Sequence, residues 1–221
     1  MSELGILAAR FELLQPRFGP GLERCLPLVA DLTRASSGPV VELGCGTGSL
    51  LAALRARVGD RPRLTGVEAD PVLLLLAREV HAVNVIEADF RDTAWLAASR
   101  PRVVVAVRAL HYPGRDEVAD LYRRLAERLP GGATLINADR FGPTVPDRQA
   151  LAGWQQWWSD ARREPRLADA FARRGAEALG AGNAMTIEDH RESLLAAGFG
   201  RVAAHHVDPV RGDAVLAATL V

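Results

Sequence analysis

Leu7, Phe11, Leu14 and Phe18 recur at helical spacing until Gly19, Pro20 and Gly21 interrupt the chain, and a second helical stretch broken by Pro27 runs on to Leu32. Residues 1–36 therefore read as N-terminal helices. From Pro39 the pattern changes to short β-rich runs alternating with amphipathic stretches: VVEL, LLAALRAR, RLTGV, VLLLLAREV, NVIEA and RVVVAV. DEVADLYRRLAERL follows, with Val118, Leu121, Leu125 and Leu129 on one helical stripe that Pro130, Gly131 and Gly132 end, and then the strand ATLINA. Strands that read as continuous apolar runs between helices predict a mostly parallel, doubly wound α/β sheet, because right-handed crossovers put helices on both faces.

Between Gly142 and Asn183 the alternation stops. Leu151, Trp154 and Trp158, then Leu167, Ala170 and Phe171, predict a helical insertion after the fifth strand, over 142–184. TIEDHRESLLAAGF restores the pattern, with Thr186 and Asp189 spaced as a capping box, and RVAAHHV and AVLAATLV flank a DPVRGD turn. So tight a connection predicts that the two final strands are antiparallel. With 221 residues and no linker-like segment, one domain is expected.

Composition removes several function classes. The 27 basic and 27 acidic residues cancel, which disfavours a nucleic-acid partner, and all the basic ones are Arg. Two cysteines, Cys25 and Cys45, make neither a disulfide framework nor a zinc site. The N-terminal stretch carries Glu3, Arg10 and Glu12, unlike a signal peptide, and the apolar runs are too short to span a bilayer. A cytoplasmic, soluble protein without membrane or metal is expected; a homodimer stays open.

The chemistry is concentrated in VVELGCGTGSL. Gly44, Gly46 and Gly48 alternate behind the first strand, where a turn without side chains lets a ligand approach the backbone, and Glu42 stands just before them. The dinucleotide spacing G-x-G-x-x-G would need glycine at 49, which is Ser49. A carboxylate beside the turn repels phosphates and favours a cation.

Val41 to Gly48 resembles the first motif of the class I S-adenosylmethionine-dependent methyltransferases, (V/L)-(D/E)-x-G-x-G-x-G. The resemblance covers about 39–139, and the C-terminal AGF with two strands is similar to the seven-stranded, Rossmann-like form of that fold, antiparallel last strand included. It implies S-adenosylmethionine as cofactor, held by Glu42, Gly44, Gly46, Gly48, Glu68, Ala69, Asp89, Phe90 and Arg108. Glu68, ending RLTGVE, would take the ribose hydroxyls; Asp89 and Phe90, after NVIEA, would take the adenine; the loop after the fourth strand would underlie the methionine part.

His111, in that loop, is the candidate catalytic base, its alternative being to pack on the adenosine or shape the pocket. Tyr112, Arg140 and Trp154 are candidate substrate-binding residues. Trp154, Trp157 and Trp158 could wall an acceptor site or glue the insertion to the sheet, and core packing is the better reading for at least two. His81 and His190 read as surface helix residues. The implied reaction is in-line transfer of a methyl group to a small-molecule acceptor, for which positioning supplies much of the catalysis. There is no N/D-P-P-Y after the fourth strand, which disfavours base methylation within DNA. The second half, ADRFG to GNAMTIEDHRESLLAAGFGRV, is similar to carboxy-S-adenosylmethionine synthases, whose carboxylate reader is an Arg of the insertion; Arg173 and Arg174 lie nearby without a match that carries the role over. A cofactor-modifying enzyme of that type, a non-catalytic S-adenosylmethionine-binding protein and an NAD-dependent oxidoreductase stand as alternatives.

Overall fold

The strands Val40–Leu43 (β1), Leu64–Glu68 (β2), Val85–Glu87 (β3), Val103–Val107 (β4), Thr134–Arg140 (β5), Phe199–Asp208 (β6) and Asp213–Leu220 (β7) form one sheet in the order β3-β2-β1-β4-β5-β7-β6. β1 to β5 are parallel, and β7 runs antiparallel between β5 and β6, as the short DPVRGD turn predicts. The computed structural model describes residues 2–36, 38–59, 63–143, 147–174 and 182–221. Parts of the 142–184 insertion therefore lie outside the described residues.

The helices are Glu3–Leu14 (α1), Leu22–Ser36 (α2), Ser49–Val58 (α3), Pro71–His81 (α4), Trp95–Ser99 (α5), Arg115–Arg128 (α6), Arg148–Arg162 (α7), Ala168–Arg173 (α8) and Ile187–Ala197 (α9). Alternation along the strands decides which helices cover which face. Val41, Leu43, Val104, Ala106 and Leu135 pack with Val118, Leu121, Tyr122 and Leu125 of α6 and Leu194 of α9. Val40, Val103, Val105, Val107 and Ile136 face the other way, onto Leu26 and Val29 of α2 and Leu50 and Leu54 of α3. Pro27 lies inside α2 without ending it. The capping box read at Thr186 and Asp189 starts α9.

A third cluster sits off the sheet. Leu4, Leu7 and Phe11 of α1, Val72 and Leu76 of α4, Trp157 and Ala161 of α7 and Ala170 of α8 pack together, and Trp157 donates its indole N–H to Leu7 O at 2.8 Å. The insertion thus joins the N-terminal helix to α4, the helix that follows β2. His190, expected at the surface, is buried: its Nδ1 lies 2.8 Å from Tyr122 Oη and its ring meets Phe141 edge to face. Period alone missed this, because α9 packs against α6 and sets His190 against Tyr122 and Phe141. Burial drives the His190 pKa down to about 4.

Candidate functional site

The chain steps outward from β1 to β3, then returns past β1 to β4, so the connections after the paired strands β1 and β4 leave their carboxyl ends in opposite directions. In open α/β sheets ligands sit at that switch point. Here a cavity of about 640 Å³ opens, within the roughly 300–1,000 Å³ range of small-molecule sites.

The glycine turn forms its floor. Gly44, Gly46 and Gly48 have φ of +62°, +56° and +81°, the left-handed region that glycine enters without penalty. A Cβ on Gly44 would lie 2.9 Å from the Ala109 methyl group. Gly48 stands back from the cavity and caps α3, where a Cβ would come 2.5 Å from Val83 Cγ2; its demand is for helix packing. Cys45 is a packed turn residue, its Sγ filling the space that a side chain at Gly66 would need.

Of the remaining cofactor candidates, Glu42, Glu68, Ala69, Asp89, Phe90 and Arg108 all line the cavity, together with Gly44 and Gly46. Glu42 is buried, on the α2 side of β1, and its Oε2 has no hydrogen-bond partner among the described residues. Burial, then the neighbouring Glu12 charge, push its carboxyl well above the usual carboxylate range against the opposing pull of Arg108. Glu68 is also buried, but is fully engaged: Oε2 accepts from Gly46 N at 2.8 Å, and Oε1 from Ala69 N and Asp70 N, each at 2.9 Å. It ties the glycine turn to the start of α4. Burial raises its pKa despite these three bonds.

Asp89 is half-buried. Burial would raise its pKa, but Arg91 grips it with three guanidinium contacts of 2.5 to 3.0 Å and lowers it. Arg108 adopts φ +54°, strained for a residue with a side chain, and its guanidinium donates to Gln15 Oε1 at 3.0 Å and Pro20 O at 2.6 Å. It pins the segment after α1 beside the cavity.

The other candidates separate. Tyr112 and Trp154 line the cavity. Arg140 does not: its Nε meets the buried Asp213 at 3.0 Å and its Nη2 reaches Arg17 O. His111 is not among the described lining residues either; its Nδ1 lies 2.9 Å from Oδ1 of the buried Asp139, and its ring centroid is 4.0 Å from that of Tyr112. Trp157 is core, whereas Trp154 and Trp158 pack in the same cluster and also reach the cavity.

Sequence reasoning missed a second set of lining residues: Phe11, Glu12 and Gln15 from the N-terminal segment, Asp70, and Arg91. None carries a motif, since only folding brings α1 to the glycine turn. The arginines of the insertion also arrive here. Arg174 Nε lies 2.5 Å from Asp70 Oδ2 with its guanidinium 3.9 Å above the Trp158 ring, and Arg173 meets Glu87 at 2.7 Å. No group of three or more His, Cys, Asp or Glu side chains among the described residues could hold a metal ion. No helix among them is long and apolar enough to cross a membrane.

Comparison with known proteins agrees with this geometry. A family model described as a methyltransferase domain matches residues 40–132. The carboxy-S-adenosyl-L-methionine synthase of Pseudomonas aeruginosa (strain UCBPP-PA14) is 30% identical over 179 residues, covering 73% of this chain and 69% of its own. Among solved structures, Streptomyces venezuelae DesVI superposes with a TM-score of 0.60 at 16% identity, over 89% of this chain and 90% of that one. Human N-acetylserotonin methyltransferase, in complex with S-adenosylmethionine, gives 0.57 at 16% identity over 89% of this chain, which spans about half (51%) of that protein. At such identities the solved structures speak to fold alone. With the glycine turn, Glu42 near the end of β1, Glu68 at the end of β2, and a sequence relative spanning most of its length, the chain belongs to the class I S-adenosylmethionine-dependent methyltransferases.

Proposed function

We propose that this protein transfers a methyl group from S-adenosylmethionine to a small-molecule acceptor. The observation that carries the reading is Glu42: a buried carboxyl with an unpartnered oxygen, on the floor of a cavity that side-chain-free backbone keeps open, suits a cationic ligand and opposes a diphosphate. When bound, the cofactor would supply an electrophilic methyl group, which an acceptor would take in line as the neutral thioether leaves.

Gly44 and Gly46 would admit the methionine part to the backbone, and Glu42 would face its positive end. Arg108, its Nε and Nη1 bonded to Gln15 and Pro20, would contribute positive charge beside the methionine part. Glu68 accepts two backbone N–H groups on Oε1 and one on Oε2, which fixes its oxygens and leaves a lone pair of Oε2 for a ribose hydroxyl. Asp89 and Phe90 would take the adenine.

His111 is held by Asp139 in the manner of an oriented base: the carboxylate engages Nδ1 and leaves Nε2 to accept a proton. Such a base matters for an acceptor hydroxyl that must ionise, and it serves an acceptor arriving past Tyr112. Trp154 and Tyr112 would give that acceptor an apolar, aromatic boundary.

Calorimetry with S-adenosylmethionine, S-adenosylhomocysteine and NAD tests the cofactor, and binding of NAD alone would overturn the reading. Mass spectrometry after incubation with acceptor mixtures tests the reaction: appearance of the thioether with a methylated acceptor is expected. The relative from Pseudomonas aeruginosa and the two arginines at the cavity favour a second reading, modification of the cofactor itself, which predicts a heavier sulfonium product in the presence of a carboxylate donor and no methylated acceptor. Binding without turnover in any mixture would instead mark a non-catalytic S-adenosylmethionine-binding protein.

A further inference from the structure

The N-terminal helix brings a second carboxylate to the cavity. Glu12 lies on the last full turn of α1, and its two oxygens accept from Thr47 Oγ1 and, at 2.7 Å, from Ser49 Oγ, the hydroxyls on either side of Gly48. Beside it Phe11 covers the turn: a Cβ on Gly46 would lie 3.5 Å from the Phe11 ring. Arg108 holds the next residues through Gln15 and Pro20. α1 and residues 15–21 therefore strap across the glycine turn, and the strap places Glu12 beside Glu42's cavity.

The two acids differ in what satisfies them. Glu12 accepts from two hydroxyls. Glu42 is 3% exposed, and one of its oxygens has no partner among the described residues. Both acids line the one cavity, where the Glu12 charge adds to burial in disfavouring a charge on Glu42, and Arg108, beside them, has its guanidinium committed to the strap. The ammonium is common to donor and product, so the sulfonium is the one charge by which these acids can tell them apart.

We infer that Glu12 and Glu42 form a charge-reading pair, through which the closed strap holds the sulfonium donor in preference to the neutral thioether left after methyl transfer. The inference rests on the S-adenosylmethionine reading above. Loss of charge at sulfur would then loosen the strap's hold and favour release of the spent cofactor.

Calorimetry on the intact protein separates charge from mere closure. Glu12→Gln keeps the shape and one acceptor oxygen but removes the charge, and the affinity ratio of S-adenosylmethionine to S-adenosylhomocysteine is expected to fall by about tenfold. Thr47→Val with Ser49→Ala cuts the latch and leaves the charge, so both ligands should weaken together. An unchanged ratio in Glu12→Gln, or equal weakening of both ligands, overturns the inference while leaving the cofactor reading intact; failure of the unmodified protein to bind either ligand overturns both. Should Glu12→Gln fail to fold, the unmodified protein decides the matter: sinefungin, whose amine carries positive charge near the position of the methyl group, should bind more tightly than the thioether, and equal binding refutes the pair.

Discussion

Replacing Glu68 by Gln removes a single charge and tests how the cavity is built. Its carboxylate receives three backbone N–H groups, from Gly46, Ala69 and Asp70, at 2.8 to 2.9 Å. A glutamine offers one carbonyl oxygen. If that oxygen stays with Ala69 and Asp70, the amide NH₂ confronts Gly46 N–H, donor against donor, and the glycine turn loses its tie to α4. An unmade hydrogen bond of this kind costs about 1–3 kcal/mol. In a chain of 221 residues, where 1 kcal/mol moves the melting temperature by about 2–4 °C, Glu68→Gln should melt about 2–12 °C lower. The sign of its pH dependence also follows. Burial raises the Glu68 pKa above 4.5, so the native carboxyl contributes most below that value and loses part of its contribution as pH rises through the folded pKa. The deficit of the variant should therefore be larger at acid than at alkaline pH. In calorimetry, S-adenosylhomocysteine should bind at least tenfold more weakly, since the turn and the ribose acceptor fail together. An unchanged melting temperature with unchanged affinity would refute the view that Glu68 both braces the turn and receives the ribose.

Two further outcomes are expected. Gly44→Ala must hold φ at +62° and bring its methyl group within 2.9 Å of Ala109, at a cost of about 2–4 kcal/mol, whereas Gly132→Ala, at φ +77° with nothing within 4 Å, pays only for its backbone; equal destabilisation of the two in thermal unfolding would contradict the close approach. His190, whose folded pKa lies at about 4 against an ordinary 6.5, gives stability present above pH 6.5 and lost as pH falls towards 4, worth about 3 kcal/mol. Denaturant titrations across that window should show the loss in the native protein and its absence in His190→Gln.

Much of this architecture is written locally. Alternation of apolar strands with amphipathic stretches was enough to read a mostly parallel sheet, because burial on both faces demands it, and the tight DPVRGD turn was enough to read β7 as antiparallel. Gly44 and Gly46, Glu42 before them and Glu68 at the end of β2 were likewise legible: a backbone bend at φ near +60° and an acid at a strand end are constraints that act within a few residues.

What distant segments do to one another was not. Nothing about Glu12 in a helical stripe shows that its carboxylate meets Thr47 and Ser49, 35 and 37 residues on, and Arg108 binding Gln15 spans 93. His190 read as exposed because its surroundings come from Tyr122 of α6 and from Phe141, not from its own helix. Arg140 sat at a strand end like a substrate residue, yet the antiparallel pairing of β5 with β7 sets Asp213 opposite it and claims its charge. Short-range patterning determined the sheet and the cradle, since their causes lie in local backbone geometry and burial; tertiary packing alone decided which charges share the cavity, since Coulomb forces and hydrogen bonds act through space and not along the chain.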